Sequence, residues 1–140
     1  MKRSDVSERL SGLLSKGQVA GLRAKYCQQF MHAATKAECV VPGCNFAVAL
    51  MLEGARVAPL RMIPSISRPG SERTPVTSVG VAQKAGMMRF DPVTRSYHVT
   101  MRGEEWLLKL EGTGMLKLAR ELQEQMDAVM VRQLTEEEAR

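Results

Sequence analysis

Four side chains in the first third of the chain have the chemistry of metal ligands: Cys27, His32, Cys39 and Cys44. The gaps between consecutive members are four, six and four residues, whereas structural zinc sites usually bring their ligands in close pairs such as Cys-x2-Cys. Cys27 also shares a predicted helix face with Phe30, where a reduced thiol packs as a small apolar group. Three interpretations stay open: a zinc site, a redox or disulfide pair, and buried reduced thiols. We favour reduced thiols and expect no bound metal or cofactor.

The sequence lacks the residue patterns of the common catalytic sites. It has no glycine-rich phosphate loop, no His-Glu-x-x-His pattern and no paired carboxylates on one apolar face. Neither His32 nor His98 has an obvious nucleophile beside it. We therefore expect a binding protein and not an enzyme.

Composition is that of a folded globular chain. Of the 140 residues, 44% are hydrophobic and 25% are charged, which argues against a largely disordered protein. The longest apolar run, residues 46–52, is too short to cross a membrane, and no apolar signal-peptide core follows Lys2 and Arg3. We expect a cytoplasmic protein without a membrane segment.

Positive charge is concentrated in the middle of the chain. Residues 56–102 contain 8 basic and 2 acidic side chains, a net charge of +6. Residues 1–55 carry 7 against 4 (+3) and residues 103–140 carry 5 against 9 (−4), which gives the total of +5. Neutralisation of DNA phosphates requires such a local excess, because each contact releases counterions from the duplex. The alternative is an arginine-rich surface that is only solvated.

A β-hairpin is predicted within the basic segment. Met88 and Phe90 fall on one face of its first strand, and Tyr97 and Val99 on one face of its second. Between them, residues 91–94 read Asp-Pro-Val-Thr, which is turn chemistry. A hairpin alone is marginal in water, so one of its faces must be covered by a neighbouring element.

The nearest cover is a helix predicted directly after the hairpin. Thr100 has the position of its N-cap, and Glu104 and Glu105 fall in its first turn, where the helix dipole favours carboxylates. The apolar face of this helix is formed by Trp106, Leu107 and Leu110.

The pattern Tyr97-x-Val99-Thr100-x-x-Gly103-x-x-x-Leu107 resembles the junction between wing and helix in winged helix-turn-helix proteins, in particular the MarR-like and PadR-like regulators. With the hairpin before it, the resembling segment over residues 86–107 covers about a sixth of the chain. By this resemblance the hairpin is the wing, the helix before it is the recognition helix, and a long C-terminal helix is the usual dimerisation element.

The resemblance implies three parts. Residues 45–110 would form the winged helix-turn-helix domain, preceded by a helical segment over residues 1–44 and followed by the C-terminal helix over residues 111–140. The fold class expected is mainly α with a small β-hairpin, an α+β fold.

Helical spacing predicts two helices in the first segment. The first would run over residues 4–14, with Ser4 as N-cap and Lys16-Gly17 as its stop. The second would run over residues 18–36.

Two elements are expected next. After a Pro-Gly turn, Asn45 has the position of an N-cap for a buried helix over residues 46–53, with Gly54 as its stop. Residues 58–63 supply the short helix that a winged domain needs, with Pro59 at its first position.

The segment before the hairpin is predicted as a loop followed by a helix. The loop over residues 64–71 is longer than the tight turn of most family members. Thr74 would cap a helix over residues 76–85, with Pro75 at its first position and Gly86 as its C-cap. The core side of this helix would be formed by Val79, Ala82 and Ala85.

The resemblance also implies which residues contact DNA. In the helix before the hairpin they are the polar residues Thr77, Ser78, Gln83 and Lys84. On the hairpin, Arg95 at the tip would reach a minor groove or a phosphate, while Arg89 and Arg102 would hold backbone phosphates. Each of these side chains has an alternative role as solvated surface.

A long final helix is predicted from Met115 towards the C-terminus. Its apolar residues recur at steps of three and four, and the expected dimerisation seam is Met115, Leu118, Leu122, Met126 and Val129. The alternative packs the same stripe onto the protein's own first two helices.

The sequence thus predicts a sequence-specific regulator of transcription, a repressor of bacterial, phage or plasmid origin, that binds double-stranded DNA as a homodimer. Two alternatives use the same scaffold. One is a protein-interaction module, a phage or plasmid factor that acts on a host protein, and the other is a replication or partition protein that binds DNA.

Overall fold

Helices make up most of the part of the chain that the structure describes. The computed structural model describes residues 16–61, 63–64, 72–73 and 77–138. The helices in these ranges are α1 (Lys16–Lys36), α2 (Phe46–Val57), α3 (Thr77–Lys84), α4 (Met101–Gly112) and α5 (Met115–Glu138). The expectation of a mainly helical protein with a small β component is confirmed. Outside the described residues lie the predicted helix over residues 4–14 with its cap Ser4, and the predicted caps Thr74 and Pro75.

The predicted hairpin is confirmed and gains a third strand. β4 (Met88–Asp91) pairs antiparallel with β5 (Ser96–Val99), and β1 (Leu60–Arg61) pairs with the other edge of β5. The strand order is therefore β1-β5-β4. A separate two-stranded pair joins β2 (Ile63–Pro64) to β3 (Glu72–Arg73).

The inner face of the three-stranded sheet is apolar and packs on the helical core. The Phe90 and Tyr97 rings, on paired strands, lie 5.0 Å apart between centroids, a separation typical of a favourable aromatic pair. Leu60 of β1 is paired with Tyr97 of β5, so the Leu60 side chain lies on the same apolar face. The alternation predicted for Met88 is also observed, since its side chain is buried.

The short helix predicted over residues 58–63 is wrong, because its described residues are extended. Ala58 has φ −144 and ψ 120, as expected for a residue before proline, whose ring disfavours helical backbone in the preceding residue. Leu60 and Arg61 then pair with β5, and Ile63 lies in β2. Pro59 therefore separates α2 from a strand and does not start a helix.

Two glycines predicted as helix stops lie inside helices. Gly17 is the second residue of α1, and Gly54 lies within α2, which continues to Val57. A glycine inside a helix costs about 1 kcal/mol relative to alanine. Burial of Ala55 in the next position offsets this cost in α2. The other predicted bounds are close to those observed, with α3 ending at Lys84 and Gly86 following at a φ of +76.

Residues of the predicted dimerisation seam pack against other helices of the same chain. α5 packs against α1, α2 and α4, and its residues Met115, Leu122 and Met126 are each at most 4% exposed. Leu118 is half-buried against the same core and Val129 is half-buried. This corrects the dimer seam: the stripe packs on the protein's own helices because an apolar face on so small a domain is needed for its single core.

The described helices include none that is both long and apolar enough to span a membrane.

Candidate nucleic-acid interface

A network of hydrogen bonds fixes the end of α3, the sheet and the start of α4 relative to one another. The Met87 amide donates to the Ala82 carbonyl at 2.8 Å, which closes α3. The Thr100 amide donates to the Met87 carbonyl at 3.0 Å, and the Thr100 hydroxyl donates to the Gly86 carbonyl at 2.7 Å. We call this region, residues 82–87 and 99–103, the junction.

The Thr100-x-x-Gly103 pattern has a structural explanation in the junction. The Thr100 hydroxyl accepts from the Gly103 amide at 3.2 Å, which confirms Thr100 as the N-cap of α4. A Cβ on Gly103 would lie 2.5 Å from the Met87 carbonyl oxygen and 2.7 Å from Cγ1 of Val99. Only glycine lets the first turn of α4 approach the sheet this closely. The pattern therefore fixes the backbone position of Arg102, the residue before this glycine, relative to the sheet.

Lys84 and Arg102 lie on the same groove, which has a volume of about 370 Å³. The groove is lined by Val41, Pro42, Gly43, Val81, Lys84, Ala85 and Arg102. Among these described lining residues none is acidic, and both cationic side chains are exposed. The Arg102 stem passes over Gly86, where its Cδ would lie 3.6 Å from an added Cβ. Two of the residues that were predicted to contact DNA, Lys84 and Arg102, thus lie together.

Among the described side chains of α3, the fully exposed ones lie at its C-terminal end. Gln83 and Lys84 are exposed, as predicted, whereas Ser78 is half-buried. Val79 and Ala82 are fully buried, which confirms the predicted core side of this helix. Thr77 is the first residue of α3, and its side chain lies outside the described part of the chain.

The turn between β4 and β5 is exposed and closed by local polar bonds. The Val93 amide donates to Asp91 Oδ1 at 2.9 Å, and this hydrogen bond is the main reason that the pKa of Asp91 is lowered. The Val93 side chain is 88% exposed. Arg95, also exposed, has a φ of +55, in the left-handed region that most residues avoid. The predicted tip position of Arg95 is therefore confirmed.

The outer face of the three-stranded sheet is polar. Strand pairing places Arg89 opposite His98, and Ser96 between Asp91 and Arg61. The Ser96 hydroxyl lies 2.6 Å from the Thr94 hydroxyl and 3.0 Å from Nε2 of His98. Both Arg61 and Arg89 are exposed. Sequence reasoning missed Arg61, because residues 58–63 were interpreted as a helix.

Two other cations, Arg56 of the basic segment and Arg120 of α5, form ion pairs with carboxylates. Arg56 of α2 lies 3.7 Å from the Glu104 carboxylate of α4, so this ion pair links the two helices. Arg120 of α5 makes a closer pair with Glu53 of α2, at 2.8 Å. These ion pairs brace the helices behind the interface and do not add to its charge.

The cysteines lie in and near the core. Cys39 and Cys44 are buried and Cys27 is half-buried, all as free thiols. Burial raises the pKa of Cys44 to about 11, and burial also raises the pKa of Cys27 against the opposing charge of Arg23. Across the described ranges no three His, Cys, Asp or Glu side chains are grouped as metal ligands would be. The zinc hypothesis for these residues and His32 gains no support from the structure.

Searches for similar proteins do not extend these observations: no protein-family model, curated protein or solved structure significantly matches this chain.

Proposed function

We propose that this protein is a winged-helix regulator of transcription that binds double-stranded DNA through the end of α3 and the β4–β5 hairpin. The observation that carries the proposal is the arrangement of cations around one hydrogen-bonded junction. Lys84 ends α3, Arg89 lies on β4 and Arg102 is the second residue of α4, and the exposed side chains of all three start from the elements that the junction holds together. Arg95 extends the set to the hairpin tip.

Rigid presentation favours binding. Ordering side chains and loops on association lowers affinity, so cations that are already fixed relative to one another bind a phosphate backbone with a smaller entropic cost. The hydrogen bonds at Met87 and Thr100 tie the strands to both flanking helices. The backbones from which these cations extend are therefore linked by hydrogen bonds before they meet the duplex.

Each candidate residue has a distinct role in this proposal. The Gln83 amide is suited to bidentate hydrogen bonding with adenine in the major groove. Lys84 and Arg102 flank one groove and would neutralise adjacent phosphates, while Arg95 would enter a minor groove or hold a phosphate. Among the described residues, β1 lies where the resemblance predicts a short helix before α3.

The experiment is selection of bound duplexes from a random pool, followed by fluorescence anisotropy over a salt series. We expect log affinity to fall steeply with log salt concentration, by about 0.9 per neutralised phosphate. Arg95→Ala should weaken binding to every sequence, whereas Gln83→Ala should change the preferred sequence.

Matched controls are Arg132→Ala and Gln125→Ala, which remove the same side-chain types from exposed positions on α5. Both should bind like the wild type. Unchanged affinity and preference in the Arg95 and Gln83 variants would remove the mapped site, and absence of salt-dependent binding by the wild type would refute the function.

A second candidate function, a protein-interaction module, is favoured by one observation. Met101 and Leu108 are 79% and 61% exposed, and their spacing of seven places them on one face of α4. Exposed apolar side chains that share a helix face are typical of protein contacts. A flat salt response with duplex DNA, together with loss of self-association or partner binding in Leu108→Gln, would favour this candidate over DNA binding.

A further inference from the structure

The outer face of the three-stranded sheet consists of Arg61, Arg89, Asp91, Ser96 and His98. Register alone defines this set, because directly paired residues project to the same side of a sheet and alternate residues along a strand do so too. The residues between them, such as Phe90 and Tyr97, form the inner face that packs on the core. The outer sheet face therefore spans three strands, with Arg61 and Arg89 exposed on its edge strands and Ser96 buried at its middle.

Charge on the outer sheet face is positive. Arg61 and Arg89 lie on its two edge strands and both are exposed. Its single carboxylate, Asp91, accepts the Val93 amide at 2.9 Å and so holds the hairpin turn. Between these arginines Ser96 is buried, and its hydroxyl lies within hydrogen-bond distance of the Thr94 hydroxyl and the half-buried His98 ring.

The size of the outer sheet face suits a DNA backbone. Neighbouring strands are about 4.8 Å apart, so β1 and β4 are separated by about 10 Å. Phosphates of one DNA strand advance by about 3.4 Å along the helix axis. Because the backbone also winds around that axis, its phosphates lie farther apart than this rise, and arginines on the two edge strands can meet two different phosphates without rearrangement of the sheet.

We propose that the outer sheet face is a second DNA-backbone contact, in which Arg61 of β1 holds a phosphate that the hairpin and α3 do not reach. This inference rests on the proposed function and extends it from the junction to the third strand. The occupant is duplex DNA, because two exposed arginines on the edge strands of one sheet, whose one carboxylate is engaged in the hairpin turn, match the repeated phosphates of a backbone.

The test compares Arg61→Gln, Arg89→Gln and Arg132→Gln, which remove one charge each from exposed positions on β1, β4 and α5. Binding of a selected duplex is measured by anisotropy between about 50 and 300 mM salt. We expect Arg61→Gln to lower affinity about fivefold at 0.1 M salt and to make the salt slope shallower by about 0.9, the value for one phosphate. Arg89→Gln should behave similarly, and Arg132→Gln should match the wild type.

Arg61→Lys keeps the charge, so its affinity should depend on salt as that of the wild type does. This result would show that the loss of affinity in Arg61→Gln is electrostatic. Circular dichroism and thermal unfolding of both variants check that the overall fold is retained. If Arg61→Gln leaves affinity and slope unchanged while Arg89→Gln reduces them, the outer-face contact is overturned and the proposed function survives. If the wild type shows no salt-dependent duplex binding, both fall.

Competition separates DNA from an acidic protein as the occupant. At equal charge concentration, unlabelled duplex should displace the labelled duplex far better than polyglutamate does. In the Arg61→Gln variant the two competitors should differ less in how well they displace it. Equal displacement by polyglutamate would overturn the assignment of this face to DNA.

Discussion

The junction and the hairpin tip lie at opposite ends of the same two strands, and they are built in opposite ways. At the junction, Gly103 is buried and leaves no room for a Cβ beside the Met87 carbonyl. At the tip, Val93 is 88% exposed and Arg95 adopts a φ of +55. The two ends of the hairpin therefore have different roles. The junction contributes to folding stability, and the tip offers exposed side chains for binding. Changes at the junction should cost folding free energy, and changes at the tip should alter binding with little cost.

The largest effect is expected for Gly103→Ala. The new Cβ would lie 2.5 Å from a backbone carbonyl oxygen, which cannot move aside as a flexible side chain does, so α4 must shift from the sheet. Overpacking of this kind costs about 2 to 4 kcal/mol. Urea denaturation followed by circular dichroism measures the free energy of unfolding.

Gly54→Ala is the matched control, because nothing lies within 4 Å of a Cβ at this position in α2. Alanine is the better helix former by about 1 kcal/mol, so this variant should be more stable than the wild type. Opposite signs for the two substitutions would establish that space at the junction, and not glycine itself, sets the cost. A stable Gly103→Ala protein would contradict the close approach.

Trp106→Phe should have the next largest effect. The Trp106 indole donates from Nε1 to the Cys39 carbonyl at 2.9 Å in a buried site, which joins α4 to the segment after α1. Phenylalanine keeps most of the packing but leaves that carbonyl without its donor, at a cost of about 1 to 3 kcal/mol. Since this is the only tryptophan, unfolding is followed by circular dichroism and not by fluorescence. A loss below the error of the measurement would show that the bond is not needed.

Thr100→Ala removes two interactions of the junction at once. Its hydroxyl accepts from the Gly103 amide and donates to the Gly86 carbonyl at 2.7 Å. Loss of an N-cap costs about 1 to 2 kcal/mol, and thermal unfolding is a suitable measurement. Thr100→Ser keeps the hydroxyl and should restore most of the stability, so equal destabilisation of both variants would contradict the capping role.

Local signals in the sequence were sufficient to predict two helix caps and the β4–β5 hairpin. Asn45 and Thr100 cap helices as expected, because an N-cap acts on amides two or three residues away. The β4–β5 hairpin follows from alternation and a Pro-containing turn. In such elements the deciding contacts lie within a few residues of sequence, so the pattern carries the information.

Elements decided by distant partners were not predictable. β1 is two residues long and exists because Leu60 pairs with Tyr97, a partner 37 positions later that no periodicity shows. The position of Arg61 on the candidate interface was missed for the same reason. The stripe on α5 was recognised, but whether it faces a second copy or the same chain depends on α1 and α2, which bury it. The spacing of Gly103 was noted, yet the carbonyl that requires glycine there is visible only in three dimensions.

The smallest change in stability, and the sharpest separation of the two regions, is expected from Arg95→Gly compared with Arg95→Ala. Both variants lose the same charge, so both should bind duplex DNA more weakly in anisotropy measurements. Their folding should differ, because glycine adopts a φ of +55 readily and alanine does not. Relief of such a backbone conformation is worth about 1 kcal/mol, which raises the melting temperature by about 3 °C in a domain of this size. Equal melting temperatures would refute the backbone part of the argument. Equal binding to the wild type would refute the contact part, so each half of the comparison is tested by its own measurement.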